Sequence, residues 1–249
     1  MLRRNEVARD SVTVPVPTLK GNQAYDLLRR EIVSCRILPG VRFTEAELME
    51  KFELGKASCR IALQRLIQGG FVSSIPRHGY RVSPITAKDV EEVFALRVAL
   101  EPLAARGAAG RVDRAHLTRL ERACRVRTPA DVGTQIDVFL EANRSFHMAI
   151  ADAAGNQRLS RTLSGLLDEM TRLVALGFGV QRVRPNIEND HNLLIEHLVA
   201  NDADAAEIVA RRHVETFRDM VMEKVIESLR LSAGSMPLGQ VSRVMGGSL

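Results

Sequence analysis

Three histidines, His147, His191 and His213, sit in segments whose apolar residues recur at helical spacing, and an imidazole nitrogen can serve as hydrogen-bond partner or ligand for a borderline metal. Asn143 and His147 stand at i and i+4 in NRSFHMAI, so both project from one face of one helix. His191 opens an apolar run through Leu193, Leu194, Ile195 and Leu198, while His213 lies among Ile208, Val209, Val214 and Phe217. Three imidazoles from three packed helices would suit zinc, nickel or copper and leave positions open for an outside ligand. The plainer alternative is that each is a hydrogen-bonded core or surface histidine.

A second constellation suits a polyanion. Gly55-Lys56-Ala57-Ser58 places small residues at the start of a helix, where the backbone can approach a major groove. Lys56 and Arg60, four apart, share one face opposite the apolar stripe of Cys59, Ala62, Leu63 and Leu66. Arg77-His78-Gly79 separates two strand-like runs and can reach a minor groove or a flanking phosphate, Gly allowing close approach and Arg supplying charge. The alternative here is a small helical bundle with a solvated basic face.

The elements that must position these residues follow from pattern. The apolar series Ala24, Leu27, Leu28, Ile32 predicts a helix that ends at Leu38-Pro39-Gly40. Thr44 and Glu47 form a capping-box pattern opening a short second helix, and the Cys59 to Ile67 stripe predicts a third, closed by Gly69-Gly70. The runs FVSSI and YRVS around Pro76-Arg77-His78-Gly79 read as a hairpin, completing a winged helix-turn-helix. Helical periodicity then fills 86–109, 113–125, 130–154, 156–177, 184–200 and 202–230, an all-helical bundle. The expected organisation is a flexible arm over 1–18, a winged helix-turn-helix DNA-binding domain over 19–84, an all-helical domain over 85–230, and a disordered tail over 231–249.

Composition agrees with this mainly α class. Aromatic residues are 4% with no Trp, too few for a β-sandwich or barrel core. Residues 1–83 hold 14 Lys and Arg against 8 Asp and Glu, whereas 84–249 hold 21 against 22, so the basic excess lies wholly in the first third. Cys35, Cys59 and Cys124 form no CxxC pair, which argues against a disulfide framework or thiolate zinc site. No apolar run long enough to span a membrane and no signal-peptide core is present, so a cytoplasmic protein without a membrane partner is expected. HExxH, GxSxG and P-loop motifs are absent, and no carboxylate is obviously placed as a base beside the histidines, so an enzyme is not expected.

The stretch PGVRFTEAELMEKFELGKASCRIALQRLIQGGFVSSIPRHGYRV, preceded by AYDLLRREIVSCRIL, resembles the DNA-binding domain of the GntR transcription regulators over residues 20–84. By that resemblance Lys56 and Arg60 occupy the two recognition-arginine positions, His78 and Gly79 fall at the wing tip, and the DNA-contacting set is Thr44, Gly55, Lys56, Ala57, Arg60, Arg77, His78 and Gly79. Gly55 replaces a usual Ser or Thr, Ala57 a Thr, Ser58 a Pro and Ile61 a Glu; Lys for Arg keeps charge but loses bidentate geometry toward guanine. Cys35 stands where Gly is common, which reads as structural drift, with a redox role as the alternative.

Residues 91–218 are similar to the FCD effector domain of the FadR-like branch, through EEVFALRVALEPLAARGAA, FLEANRSFHMAIADAAGNQRL and DHNLLIEHLVANDADAAEIVARRHVETF. The resemblance implies a divalent metal, zinc or nickel, on Asn143, His147, His191 and His213, with Asn143 replacing the family's Asp and so removing one compensating anion. It also implies Arg97 as a carboxylate clamp, against the alternative of a surface ion pair with Glu101; Arg144, Arg182 and Arg184 are further possible clamps. Asn156 matches a family turn and is expected to cap a helix. The implied function is a ligand-responsive transcription repressor that senses a small carboxylate and binds a pseudo-palindromic operator as a homodimer. A ligand-independent DNA binder, whose helical domain only dimerises, is the alternative.

Overall fold

Helix α1 (Gly21–Val33) forms where Ala24, Leu28 and Ile32 repeat every four residues, and this stripe is buried. The computed structural model describes residues 21–125, 132–181 and 190–234, so the expected arm and most of the expected tail lie outside the described residues. Thr44 opens α2 (Glu45–Lys51): its hydroxyl accepts from the Glu47 amide, and the Glu47 carboxylate accepts from the Thr44 amide. After the Gly55 N-cap, α3 (Lys56–Gln68) buries Cys59, Ala62, Leu63 and Leu66 against α1.

The wing pairs β2 (Val72–Ile75) antiparallel with β3 (Gly79–Val82), Ile75 opposite Gly79, and the turn is closed by the His78 amide donating to the Ile75 carbonyl at 2.9 Å. A third strand, β1 (Arg42–Phe43), lies on the other edge of β3, giving the order β1-β3-β2. Two residues carry no readable period, so only the hairpin is legible in the sequence. Gly79 has φ +85°, and a Cβ there would come within 2.5 Å of the Phe43 carbonyl oxygen. Glycine is therefore required by the sheet itself.

The second unit contains, among the described residues, α4 (Ala87–Ala108), α5 (Arg114–Arg125), α6 (Val132–Ala153), α7 (Gln157–Gln181), α8 (Asp190–Val199) and α9 (Ala203–Gly234). A second capping box, Thr86 with Asp89, opens α4, and Asn156 accepts from the first amides of α7 as a cap. Helices α4 and α9 run antiparallel, with Phe94 against Phe217 and Arg106 against Asp204. Phe94, Phe139, Leu167, Met170, Phe217 and Val221 anchor one core, and Phe146, Ile150, Leu194 and Leu198 another. Helix α9 continues through Gly234, past the expected start of a disordered tail at 231, and buries Val221, Val225 and Ser228 on its inner face.

The two units are joined by polar contacts. Arg172 of α7 donates to the Ser83 carbonyl, and Asp168 of α7 takes Arg29 of α1 on one oxygen and Arg144 Nε of α6, at 2.7 Å, on the other. Cys35 has φ +54°, the left-handed conformation that glycine adopts freely, and its thiol donates to the Arg172 carbonyl oxygen at 3.6 Å. Burial pushes the Cys35 thiol up to about 11, so it packs the junction as a protonated group rather than a reactive thiolate.

Candidate functional site

Four helices each bring polar side chains to one point inside the helical unit. Arg97 and Glu101 lie one turn apart on α4, Asn143 and His147 one turn apart on α6, His191 in the first turn of α8, and His213 in α9. None is more than 6% exposed. Each projects inward because its neighbours at helical spacing, such as Phe94, Phe146, Leu194 and Phe217, are core residues.

Glu101 organises one side. Its Oε1 accepts from Arg97 Nε at 2.5 Å and its Oε2 accepts from His147 Nδ1 at 2.8 Å. Burial alone would raise this carboxyl, but the charges and hydrogen bonds of Arg97 and His147 outweigh it and hold Glu101 well below the usual carboxylate range. The ion pair between Arg97 and Glu101 thus exists, but it is buried and not the surface pair considered from sequence, since Arg97 is 0% exposed and stands over the Phe94 ring. A carboxylate does stand beside the histidine set, contrary to the sequence expectation; its i+4 spacing from Arg97 was visible, its contact with His147 across helices was not.

The other side is built from imidazoles. His191 Nε2 and His213 Nε2 are 3.3 Å apart, and one ligating nitrogen from each of His147, His191 and His213 lies within 4.8 Å of the other two. Two nitrogens at about 2.05 Å from a tetrahedral ion are about 3.3 Å apart, so the His191–His213 spacing is that of two ligands on one metal. Burial, followed by the neighbouring histidines, lowers His191 well below its ordinary range; burial likewise lowers His213, against the opposing pull of the Asp190 carboxylate 3.8 Å from its Nδ1. Both are neutral near pH 7, the state in which imidazole ligates. Asp190, which also takes Arg212 at 2.9 Å, orients His213 from outside and was not among the residues singled out in the sequence.

Several polar atoms here are buried with no protein partner: Arg97 Nη1 and Nη2, Asn143 Nδ2, His147 Nε2 and His191 Nδ1. Such atoms are costly unless something meets them. The adjoining cavity, lined by Glu101, His147, Ile150, Leu163, Leu194 and His213, measures about 10 Å³, room for one water-sized occupant. Three imidazoles with an orphaned His147 Nε2 fit a divalent cation; Asn143 stands beside them on α6 but brings no charge. Arg144 points to the junction instead, with Nη2 on Ser164 Oγ at 2.8 Å, and Arg182 and Arg184 lie outside the described residues.

The exterior site differs in kind. Lys56, Ala57 and Arg60 are exposed along α3, with half-buried Gly55 at its start, and Arg77 and His78 are exposed at the wing tip. Arg60 Nε donates to both oxygens of Glu45, at 3.0 and 3.1 Å, while its side chain stays 60% exposed. Glu45, a residue of the first turn of α2, was not foreseen as its partner. Thr44 is engaged in the α2 cap, so its hydroxyl oxygen already serves the Glu47 amide.

Residues 20–82 match the family model described as bacterial regulatory proteins of the gntR family, and residues 92–216 match the FCD domain. The chain is 27% identical over 208 residues to the HTH-type transcriptional repressor RspR of Escherichia coli strain K12, covering 83% of this chain and 91% of the relative. It is 26% identical over 200 residues to a probable D-xylose utilization operon transcriptional repressor of Paenarthrobacter nicotinovorans, covering 80% and 88%. The fold resembles that of McbR/YncC from E. coli, with a TM-score of 0.68 at 17% identity over 82% of this chain and 97% of that one. A winged helix-turn-helix over 20–82 followed by an FCD domain over half the chain makes this protein a member of the GntR family of transcription regulators.

Proposed function

We propose that the protein is a repressor that binds a pseudo-palindromic operator as a homodimer and is switched by a small carboxylate received in the pocket between α4, α6, α8 and α9. The observation that carries this reading is the set of buried donors without partners, above all both Nη atoms of Arg97, which is the arrangement a bidentate carboxylate satisfies. His147, His191 and His213, with the amide oxygen of Asn143, would hold zinc or nickel. When bound, such an ion supplies a positive anchor for the carboxylate. A donor set without an anion leaves that charge uncompensated by direct ligands, which favours an anionic guest, while Glu101 holds His147 in orientation through Nδ1.

A cavity of about 10 Å³ is too small for an organic acid, so binding must move the helices apart. Arg144 follows Asn143 directly on α6 and pairs with Asp168, which also holds Arg29 of the DNA-binding unit. Displacement of α6 at the pocket therefore bears on the junction, and the ligand shifts the population of domain orientations. On DNA, Lys56 and Arg60 would read the major groove, with Thr44, Gly55 and Ala57 along the backbone and Arg77, His78 and Gly79 at the flank. The relatives named as repressors support the direction of control, and action on the chromosome places the protein in the cytoplasm. Among the described residues, no helix is long and apolar enough to cross a membrane.

The test is a thermal-melting screen against small carboxylic acids, with and without chelator, followed by operator binding with each hit. A hit that raises the melting temperature and weakens operator binding is expected, with chelator abolishing the shift. A hit insensitive to chelator would leave Arg97 as clamp and remove the metal. No hit would favour the ligand-independent DNA binder.

A further inference from the structure

Arg172 of α7 is a buried guanidinium that meets no anion. It is 7% exposed, its Nη2 donates to the Ser83 carbonyl, and its Nε has no partner. Asp89 of α4 and exposed Glu169 of α7 lie near enough to act on it electrostatically, yet among the described residues neither forms an ion pair with it. Pairing lowers an acid and raises its base. Here burial and then Asp89 hold the Glu169 carboxyl above its ordinary range, and burial holds Arg172 below its own. Opposite charges therefore face one space without compensating each other. That space is a cavity of about 180 Å³ at the junction of the two units, against about 10 Å³ for the pocket inside the helical unit. Gly70 and Phe71 line it from the DNA-binding unit, and Val93 and Leu173 add apolar surface from the helical unit. A small organic molecule fits there without movement of the helices.

We infer that this junction cavity is a second ligand site, which takes a small aliphatic zwitterion of the α-amino acid class. Its carboxylate meets Arg172, its ammonium meets Glu169 and Asp89, and its side chain packs on Phe71, Val93 and Leu173. A carboxylate without an amine would satisfy Arg172 but bring a third negative charge beside Asp89 and Glu169. An amine without a carboxylate would satisfy the acids and leave the guanidinium bare. A molecule carrying both charges compensates both sides. The site does not depend on the pocket around Arg97 and selects a differently charged guest. Because its lining comes from both units, an occupant ties Phe71 and Ser83 to α4 and α7, and reinforces the Arg172 contact with the Ser83 carbonyl that holds the DNA-binding unit in this orientation.

The test uses the full chain after chelator treatment, so that a metal on the histidines plays no part. Glycine, L-alanine, L-valine and L-leucine are titrated by calorimetry and thermal melting, beside isovalerate and isobutylamine, which are L-valine without its amine and without its carboxylate. L-valine should raise the melting temperature and bind at least about tenfold more tightly than either fragment. Glu169→Gln, at an exposed position, should keep the circular dichroism of the parent and weaken L-valine by about tenfold. Hydrogen exchange should slow on L-valine binding in 69–73, 83–89 and 169–173. Slowing confined to 143–147 and 191–213 would place the amino acid in the inner pocket and overturn the junction site. Isovalerate binding as tightly as L-valine would overturn the zwitterion, and no response to any of the four amino acids up to about 10 mM would overturn the site itself.

Discussion

The surface proposed to read DNA and the pocket proposed to take a ligand pose opposite problems for the fold. Lys56, Arg60, Arg77 and His78 are solvated, and the fold only has to present them on one helix and one turn. Arg97, Glu101, Asn143, His147, His191 and His213 are stripped of water, and the fold has to satisfy them. The pocket does so incompletely, through Glu101 on one side and Asp190 on the other, and leaves the orphaned donors that the proposed ligand would meet. A surface site can afford unused capacity, whereas in the interior it costs stability until it is filled.

The comparison is broken most severely at Arg97. Arg97→Ala leaves Glu101 buried with His147 alone, and a buried pair cut at one partner costs about 3–5 kcal/mol, measurable by denaturant unfolding. The same variant should lose the ligand-induced melting shift while its operator affinity, measured at a temperature where it is folded, stays near that of the parent. Equal loss of both would mean that Arg97 is structural only. On the exterior, Arg60→Ala should leave unfolding nearly unchanged and lower specific operator affinity by about 1–3 kcal/mol per half-site. Unchanged sequence preference in an anisotropy titration would show that α3 does not read the bases.

Gly79→Ala sharpens the contrast, because this half-buried wing residue is constrained by the sheet. With φ +85° and the Phe43 carbonyl in the way, the substitution should cost about 1–3 kcal/mol of stability and displace the wing. Wild-type stability would argue that the wing adapts. The smallest effect is that of mild acid on chelator-treated protein. His191 and His213 have folded-state values below the ordinary 6.5, so the unfolded chain takes up their protons first. Stability is therefore full above that value and falls on acidification, by about 1 kcal/mol for the pair between pH 7 and 6. Glu101, also lowered, adds its loss only below the ordinary carboxylate value. Melting temperatures that rise on going from pH 7 to 6 would contradict neutral buried imidazoles.

Much of this molecule is written locally. The capping boxes at Thr44 and Thr86, the apolar stripes of α1 and α3 and the turn at Pro76-Arg77-His78 are set by residues within a few positions of one another, so sequence alone determined the winged unit and the helical character of the rest. The pairing of Asn143 with His147 on one face follows from the same short-range rule. Strand β1, too short for a period, and the continuation of α9 to Gly234 were not legible in the local pattern.

What tertiary structure alone decided is who meets whom across helices: Glu101 with His147, Asp190 with His213, Arg60 with Glu45, and Arg144 with Asp168 at the junction instead of in the pocket. These partners are 15 to 46 residues apart, and which side chains face each other depends on how helices cross and rotate, not on spacing along the chain. Helical periodicity tells which face of a helix is buried. Only packing tells what it is buried against, and there the charge of Glu101, the neutrality of two histidines and the unmet donors of Arg97 arise.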